Sequence, residues 1–227
     1  NLRNMRKFNL SVYNKQFFYY IFALFLNIKK FRMKTSSEAY KEHLENKYLP
    51  GRDKYLQYIF YPKILKQFSK GKIIDLGCGT GEFLQFLKLK NRELSGIDNN
   101  PYLVEKCVNK GFDVKLDDVT KLENITENTE NALCDNVLEH LDMNQIDMFF
   151  AALKRKMAKN GNLVVIVPDK KGFQHDPTHK TFVNKQIIDD MCSKHEIQLQ
   201  NNFSHPINIS FVGNIFYLNM QVFVIKF

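Results

Sequence analysis

Three glycines at alternate positions follow a short apolar segment that contains an acid, and this pattern predicts a ligand-binding turn. The segment 73–76 reads IIDL, and Gly77, Gly79 and Gly81 come next, before a helical pattern that begins at Glu82. Glycine tolerates the sharp turn from strand to helix and allows the backbone to approach a ligand closely. The first amides of the following helix lack partners within the helix and attract a negatively charged group. We therefore expect a nucleotide to bind at this turn.

The spacing favours an adenosine without a pyrophosphate. A dinucleotide-binding fingerprint needs a small residue at the sixth position counted from Gly77, but this position holds Glu82, whose carboxylate would repel a pyrophosphate. Asp98 ends the strand-like run 93–98, 17 residues beyond Gly81. A carboxylate at that place accepts hydrogen bonds from both ribose hydroxyls.

A second group of chemically capable side chains lies about a hundred residues further along. It contains two histidines, an acid and two hydroxyls, namely His175, Asp176, Thr178, His179 and Thr181. This composition favours an acceptor-binding loop in which His179 or His175 removes a proton and Asp176 orients an imidazole. The alternative is a simple turn at the Asp-Pro pair, followed by a helix N-cap at Thr181 or Asn184.

His140 is a third candidate for the base. It follows Glu139 at the end of the run 131–141, which reads NALCDNVLEHL. The alternative role is structural, close to a helix that we expect to begin at about Asp142.

These residues need a framework of alternating strands and helices. The pattern predicts helices over 82–90, 101–110 and 184–195, and strands within 93–98, 112–122, 131–141 and 161–169. The last of these runs has five consecutive apolar residues, as a strand buried on both faces should. Two further strands are expected near 197–204 and 217–227.

In this order and at this spacing, the motifs resemble the class I S-adenosylmethionine (SAM)-dependent methyltransferases over about residues 72–170. The glycine turn matches their motif I, and 131–141 matches the "vLEHl" signature of their small-molecule branch. The resemblance implies a doubly wound, Rossmann-like α/β fold, with helices on both faces of a seven-stranded sheet whose last strand is antiparallel. It also implies SAM as cofactor, with contacts at Asp75, Gly77, Cys78, Gly79, Gly81, Asp98, Asn99, Asp118, Val119 and Asn136. Alignment of the D-V-T-K-L segment selects Asp118, rather than Asp117, as the acid beside the adenine.

The same resemblance bears on Glu139 and on the acceptor. Glu139 is either a contact to the methionine end of SAM or a structural acid. A D-x-T-H-x-x-x-F pattern occurs in methyltransferases of cell-surface polysaccharide pathways, and here Phe182 falls one residue earlier than that spacing. The implied acceptor is a saccharide or a phosphorylated precursor of a surface glycan.

No metal is expected in the site from the sequence. His175, Asp176 and His179 could bind an ion, but no third histidine lies at a helical spacing, and few enzymes of this branch need a metal. The four cysteines lie far apart, which is typical of reduced, buried thiols in a cytosolic protein.

A nucleic-acid substrate is not expected, although the net charge is +9. Residues 1–34 hold eight lysines or arginines and no acid, and the rest of the chain carries 25 basic and 24 acidic residues. DNA adenine methylases carry an N/D-P-P-Y/F loop after the fourth strand. In this chain Asn100-Pro101-Tyr102 follows the second strand instead, where it suits the start of a helix.

Residues 1–32 form a basic and apolar extension whose role stays open. The apolar core 17–26 is too short to span a bilayer. The extension is an interfacial helix in peripheral membrane contact, a helix packed on the domain or on a partner, or a segment outside the functional protein, since Met33 resembles a natural start. The catalytic domain is assigned to residues 33–227.

The sequence thus predicts a cytoplasmic enzyme that transfers a methyl group from SAM to a small acceptor, with O-methylation of a saccharide as the leading interpretation. The first alternative is a methyltransferase directed at a quinone or a lipid, which Glu139-His140 and the apolar N-terminal segment would both suit. The second is a SAM-binding protein without catalysis. The oligomeric state is not predicted.

Overall fold

A single seven-stranded sheet organises the chain. The computed structural model describes residues 35–40, 51–209, 213–214 and 218–227. Its strands are β1 (Ile73–Leu76), β2 (Leu94–Asp98), β3 (Val114–Leu116), β4 (Thr129–Asp135), β5 (Met157–Pro168), β6 (Gln198–His205) and β7 (Met220–Lys226). The spatial order is β3-β2-β1-β4-β5-β7-β6, and β7 runs antiparallel to both of its neighbours. The predicted fold class is confirmed.

Helices connect the strands and cover both faces of the sheet. Two short helices separated by a π-helical turn over Leu56–Phe60 precede β1, and a 3₁₀ turn over Leu138–His140 follows β4. The α-helices are α1 (Arg52–Tyr55), α2 (Tyr61–Leu65), α3 (Glu82–Leu89), α4 (Pro101–Asn109), α5 (Met143–Lys156), α6 (Lys170–His175) and α7 (Lys185–Lys194).

Polar caps explain where several helices begin. The Asn100 side chain accepts hydrogen bonds from the first amides of α4, whose first residue is Pro101. Asp142 forms a capping box with Gln145 at the start of α5. Asn184 caps α7 by accepting from the amide of Ile187. The helix starts expected at Pro101, Asp142 and Asn184 are therefore confirmed.

The central strands are buried on both faces, as the sequence predicted for 161–169. Every residue from 161 to 168 is buried. Leu163, Val165 and Val167 pack in the core under α5 and α7, whereas Val164 and Ile166 pack with α2 and α3 on the other face. This alternation fixes the register of β5, because a slip of one residue would exchange the two faces.

Two strands depart from the sequence prediction in length. β3 covers only Val114–Leu116 of the expected 112–122, because the chain turns at Asp117 and Asp118. β5 begins at Met157, four residues before the predicted start, since Met157 pairs with Thr129 ahead of a register shift.

The described residues contain no helix that could span a membrane. In the described ranges, the helices are too short or too polar to cross a bilayer. The apolar segment 17–26 lies outside those ranges.

Candidate active site

The glycine turn between β1 and α3 has a left-handed backbone conformation that glycine adopts readily. Gly77, Gly79 and Gly81 all have positive φ, at 78°, 55° and 78°. The amides of Gly77 and Cys78 donate to the carbonyl of Ile97 at 2.8 and 2.9 Å, which anchors the turn on β2. A Cβ at Gly77 would lie 2.5 Å from a methyl of Val137, so only glycine fits there.

Asp98 lies at the carboxyl end of β2, directly beside this turn. Its side chain is 7% exposed and accepts from the amide of Gly79 and from the amide of Asn100, both at 2.8 Å. A carboxylate has about four acceptor positions, so these two bonds leave capacity for ribose hydroxyls. Burial raises the pKa of Asp98, and the hydrogen bonds from Asn100 and Gly79 oppose this rise.

Three carboxyl groups lie close together in this site, of which Asp75 and Asp98 are buried and Asp135 is partly buried. Burial, followed by the charges of Asp135 and Asp98, raises the pKa of Asp75 well above its ordinary value. Burial, followed by the charge of Glu82, raises the pKa of Asp135 to about 7. A cationic ligand lowers the free-energy cost of ionising carboxyl groups that are buried and lie close together. SAM, with its sulfonium and ammonium groups, fits this environment.

Asp117 and Asp118 have different surroundings. The Asp117 carboxylate is buried and accepts from the amides of Asn124 at 2.7 Å and Asp118 at 2.8 Å, so it ties the loop after β3. Asp118 is partly exposed and accepts from the amide and hydroxyl of Thr120.

The other expected cofactor contacts differ in what they can offer. Asn99 and Asn136 are exposed, and Asn136 has a positive φ of 55° at the end of β4. The side chains of Cys78 and Val119 pack in the core, which leaves their backbones for a ligand. All four cysteines of the chain are buried.

Arg52 lies over the glycine turn from α1. Its guanidinium forms two hydrogen bonds with the carboxylate of Glu82, of which Nη2 to Oε2 is 2.8 Å. The carboxylate of Glu82 at the start of α3 is therefore paired with the guanidinium of Arg52.

Two segments meet beyond the ends of β4 and β5. The amides of Lys180 and Thr181 donate to the carbonyl of Glu139 at 2.7 and 3.2 Å, and the Thr181 hydroxyl donates to the carbonyl of Leu141 at 2.7 Å. These bonds hold the loop after α6 against the 3₁₀ turn that contains Glu139 and His140.

The imidazoles of His140 and His179 lie side by side in this junction, with ring centroids 4.9 Å apart. His140 Nδ1 is 3.3 Å from the carbonyl and 3.2 Å from the hydroxyl of Thr178. His179 Nδ1 is 3.0 Å from the carbonyl of Phe173, and its Nε2 is 3.8 Å from Oε1 of Glu139. Glu139 is only 1% exposed.

Asp176 reaches His140 through Thr178. Its carboxylate accepts from the Thr178 amide at 2.9 Å and from the Thr178 hydroxyl at 2.6 Å. The orienting role expected for Asp176 thus passes through a threonine. His175 is the last residue of α6 and is partly buried.

Tyr40 and Asn100 join this junction to the cofactor turn. The Asn100 side-chain amide donates to the carbonyls of Thr35 and Ser37 at 2.9 Å, while the Tyr40 hydroxyl lies 3.5 Å from His140 Nε2. Burial, followed by the charges of Asp176, Glu139 and Asp98, raises the pKa of Tyr40 well above its ordinary value. Segment 35–40 therefore extends from the Asp98 side of the site to the histidine pair.

Sequence reasoning missed three parts of this arrangement. It treated Asn100 only as a helix start and did not place Tyr40 beside a histidine. It also gave Thr178 no function. Of these, only the Asp-x-Thr spacing at 176–178 carries a local signal, since it favours an Asx turn.

Comparison with known proteins agrees with this geometry. Residues 40–202 match the family model described as a methyltransferase domain. The sequence gives no significant match among curated proteins.

Solved structures share the fold at low sequence identity. A SAM-dependent methyltransferase from Archaeoglobus fulgidus is 19% identical with a TM-score of 0.64, and the match covers 83% of this chain and 100% of that one. One from Clostridium acetobutylicum is 12% identical with a TM-score of 0.62, covering 83% and 96%. The [4+2]-cyclase SpnF is 13% identical with a TM-score of 0.57, covering 73% and 78%. Because the family model covers most of the chain and the glycine turn, Asp98 and the sheet agree with it, the chain belongs to the methyltransferase domain family and is a SAM-dependent methyltransferase.

Proposed function

We propose that the enzyme methylates a hydroxyl oxygen of a small acceptor, and that the acceptor is a saccharide or a phosphorylated precursor of a surface glycan. The observation that carries the proposal is the histidine pair, which lies beside a buried carboxylate and is joined to the cofactor turn through Tyr40. A hydroxyl acceptor must lose its proton during transfer, and this cluster offers groups suited to receive it.

The cofactor-binding residues have a positioning role. SAM supplies a methyl group that its sulfonium already activates. The glycine turn, Asp75, Asp98 and Asp118 hold the donor, while Asn99, Val119 and Asn136 lie at its edges. Accurate placement of donor and acceptor accounts for much of the rate in such a displacement.

The proton-accepting atoms are the Nε2 atoms of the two histidines. Each imidazole places its Nδ1 next to a carbonyl oxygen, so Nδ1 carries the hydrogen and Nε2 has the lone pair. His179 is the first candidate, because Glu139 next to its Nε2 stabilises the imidazolium that forms. His140 is the second, with Asp176 fixing it through Thr178, and His175 at the end of α6 is the third.

The acceptor class is supported by the D-x-T-H arrangement at 176–179, which resembles that of polysaccharide-pathway methyltransferases. A screen of sugar nucleotides and phosphorylated sugars with methyl-labelled SAM tests it. Label should enter members of this set, and the hydroxyl that carries it is found by mass spectrometry. Transfer to quinones or prenyl lipids, with none to sugars, would contradict the proposal.

Separate replacement of the histidines tests the chemical role. His179→Ala and His140→Ala should each lower the transfer rate, by about 10²–10⁴-fold for the base, with SAM affinity unchanged in calorimetry. His195→Ala is the matched control, because this partly buried histidine pairs with Asp147 on α5. Equal rates in all three variants would discard the assignment.

Binding of SAM without turnover on any acceptor would favour a non-catalytic protein. This outcome is relevant because the fold also occurs in a cyclase.

We further propose that residues 33–227 form the catalytic domain and that the basic segment 1–32 is an extension of it. The family match from residue 40 onward and the concentration of unbalanced charge before residue 35 support this division. A chain that starts at Met33 should retain transfer activity. Co-sedimentation of both forms with anionic vesicles tests peripheral membrane contact, and equal behaviour of the two would contradict it.

A further inference from the structure

We propose that Glu139, His140 and His179 bind one divalent transition-metal ion. One ligand atom from each of these residues lies within 4.8 Å of the other two. They come from two segments, the 3₁₀ turn after β4 and the loop after α6, which backbone hydrogen bonds hold together. A carboxylate oxygen and two imidazole nitrogens form a donor set that suits zinc and its first-row neighbours.

The orientation of both rings supports this assignment. The Nδ1 atoms of His140 and His179 lie 3.3 and 3.0 Å from the carbonyl oxygens of Thr178 and Phe173. A metal-binding histidine typically donates its second ring N–H to such a carbonyl or to a carboxylate, because this fixes the tautomer and the ring orientation. Here the Nε2 atoms of both rings face the junction, that of His179 at 3.8 Å from Oε1 of Glu139 and that of His140 at 3.5 Å from the Tyr40 hydroxyl.

The buried carboxylate supplies the second argument. Glu139 is 1% exposed and the side chain of His179 is 9% exposed. A buried carboxylate is costly unless it is paired or binds a metal. A divalent cation between Glu139 and the two rings would offset that charge.

The three ligand atoms lie within 4.8 Å of one another, so they must approach by up to about 1.4 Å to bind one tetrahedral ion. Ligands about 2.1 Å from a tetrahedral ion lie about 3.4 Å from one another. His179 Nε2 and Glu139 Oε1 are 3.8 Å apart, so this pair needs to approach by a few tenths of an ångström. Three protein ligands leave at least one coordination position open, as in catalytic zinc sites.

The open position gives the ion a role that rests on the proposed function. A hydroxyl oxygen bound to a divalent cation loses its proton more readily. In the ion-bound form the two imidazoles act as ligands and the acceptor's proton passes to solvent, whereas in the ion-free form an Nε2 atom receives it.

Cobalt titration of the full chain tests the site without relying on activity. After removal of metals with a chelator, Co²⁺ alone should bind at one ion per chain and give visible absorption bands, and Zn²⁺ should displace it. His179→Ala, His140→Ala and Glu139→Gln should each weaken Co²⁺ binding more than about 100-fold, since changes in residues that only support metal ligands already cost 10–100-fold. His195→Ala should bind like the wild type.

SAM binding by calorimetry shows whether each variant is folded. A variant that binds SAM normally but has lost Co²⁺ supports the site. Absence of Co²⁺ and Zn²⁺ binding in the wild type would overturn it, as would equal binding in all variants or a preference for Mg²⁺ over both. Metal binding combined with failure to methylate any hydroxyl acceptor would leave the metal site standing and contradict the proposed function instead.

Discussion

The cofactor half and the acceptor half of this site are built in different ways. The cofactor half consists of the glycine turn 77–81 with Asp98 and Asp118, and its key bonds link β1 to the neighbouring strand β2. The acceptor half joins Tyr40, the turn Leu138–His140 and the loop 176–179, which are far apart in sequence. The first half depends on a local backbone shape, and the second depends on tertiary contacts. Substitutions should therefore separate cofactor binding from acceptor chemistry.

The largest effect is expected at Asp98. Asp98→Ala removes the acceptor of two backbone amides, and with it the carboxylate that we propose binds the ribose hydroxyls. Hydrogen bonds to a charged group contribute about 1.5–3 kcal/mol each, so SAM affinity should fall about 100-fold or more in calorimetry. Co²⁺ binding at the histidine pair should remain. Parallel loss of both ligands would show that the two halves fold as one unit.

Gly77→Ala tests the backbone shape of the cofactor half. The left-handed conformation costs an alanine about 1–2 kcal/mol, and its Cβ would meet Val137 at 2.5 Å. We expect the free energy of unfolding to fall by about 3 kcal/mol in denaturant titration.

A double-mutant cycle separates the two causes. In a Val137→Ala background the clash is relieved, so Gly77→Ala should cost only the backbone term of about 1–2 kcal/mol. Equal costs in both backgrounds would exclude the steric contribution of Val137.

The comparison also explains what the sequence could predict. The glycine turn, the helix starts at Pro101 and Asn184 and the doubly buried β5 follow from local residue types and from periodicity. The contact between Glu139 and His179 does not follow from local sequence, because it depends on how two loops pack and on two carbonyl oxygens that orient the imidazole rings. For this reason a metal search confined to residues 175–179 missed the cluster, and Arg52 gave no sign of its pairing with Glu82.

Asp117 and Asp118 provide a neighbouring pair with opposite expectations. Asp117→Ala leaves partly buried amides of the loop without this acceptor, at a cost of about 1–3 kcal/mol, so it should lower the free energy of unfolding by about 2 kcal/mol. Asp118→Ala should lower SAM affinity with little change in stability. Thermal unfolding and calorimetry of both variants measure the two effects, and the reverse pattern would assign the adenine-side acid to Asp117.

The smallest effect is expected at Thr178, which acts in the acceptor half as a positioning residue. Its hydroxyl donates to Asp176 and lies 3.2 Å from His140 Nδ1, so Thr178→Val removes one of the two contacts of Thr178 with this ring and keeps the carbonyl contact. A lost hydrogen bond of about 1–1.5 kcal/mol corresponds to a rate reduction of about tenfold, with SAM affinity unchanged. Thr178→Ser keeps the hydroxyl and should restore the rate. A purely structural role would depend on the methyl group instead, and serine would then behave like valine or worse.

Because Asp176, Thr178 and His140 form one chain of contacts, Asp176→Asn combined with Thr178→Val should cost little more than Thr178→Val alone. Additive losses would show that Asp176 acts on the acceptor by another route.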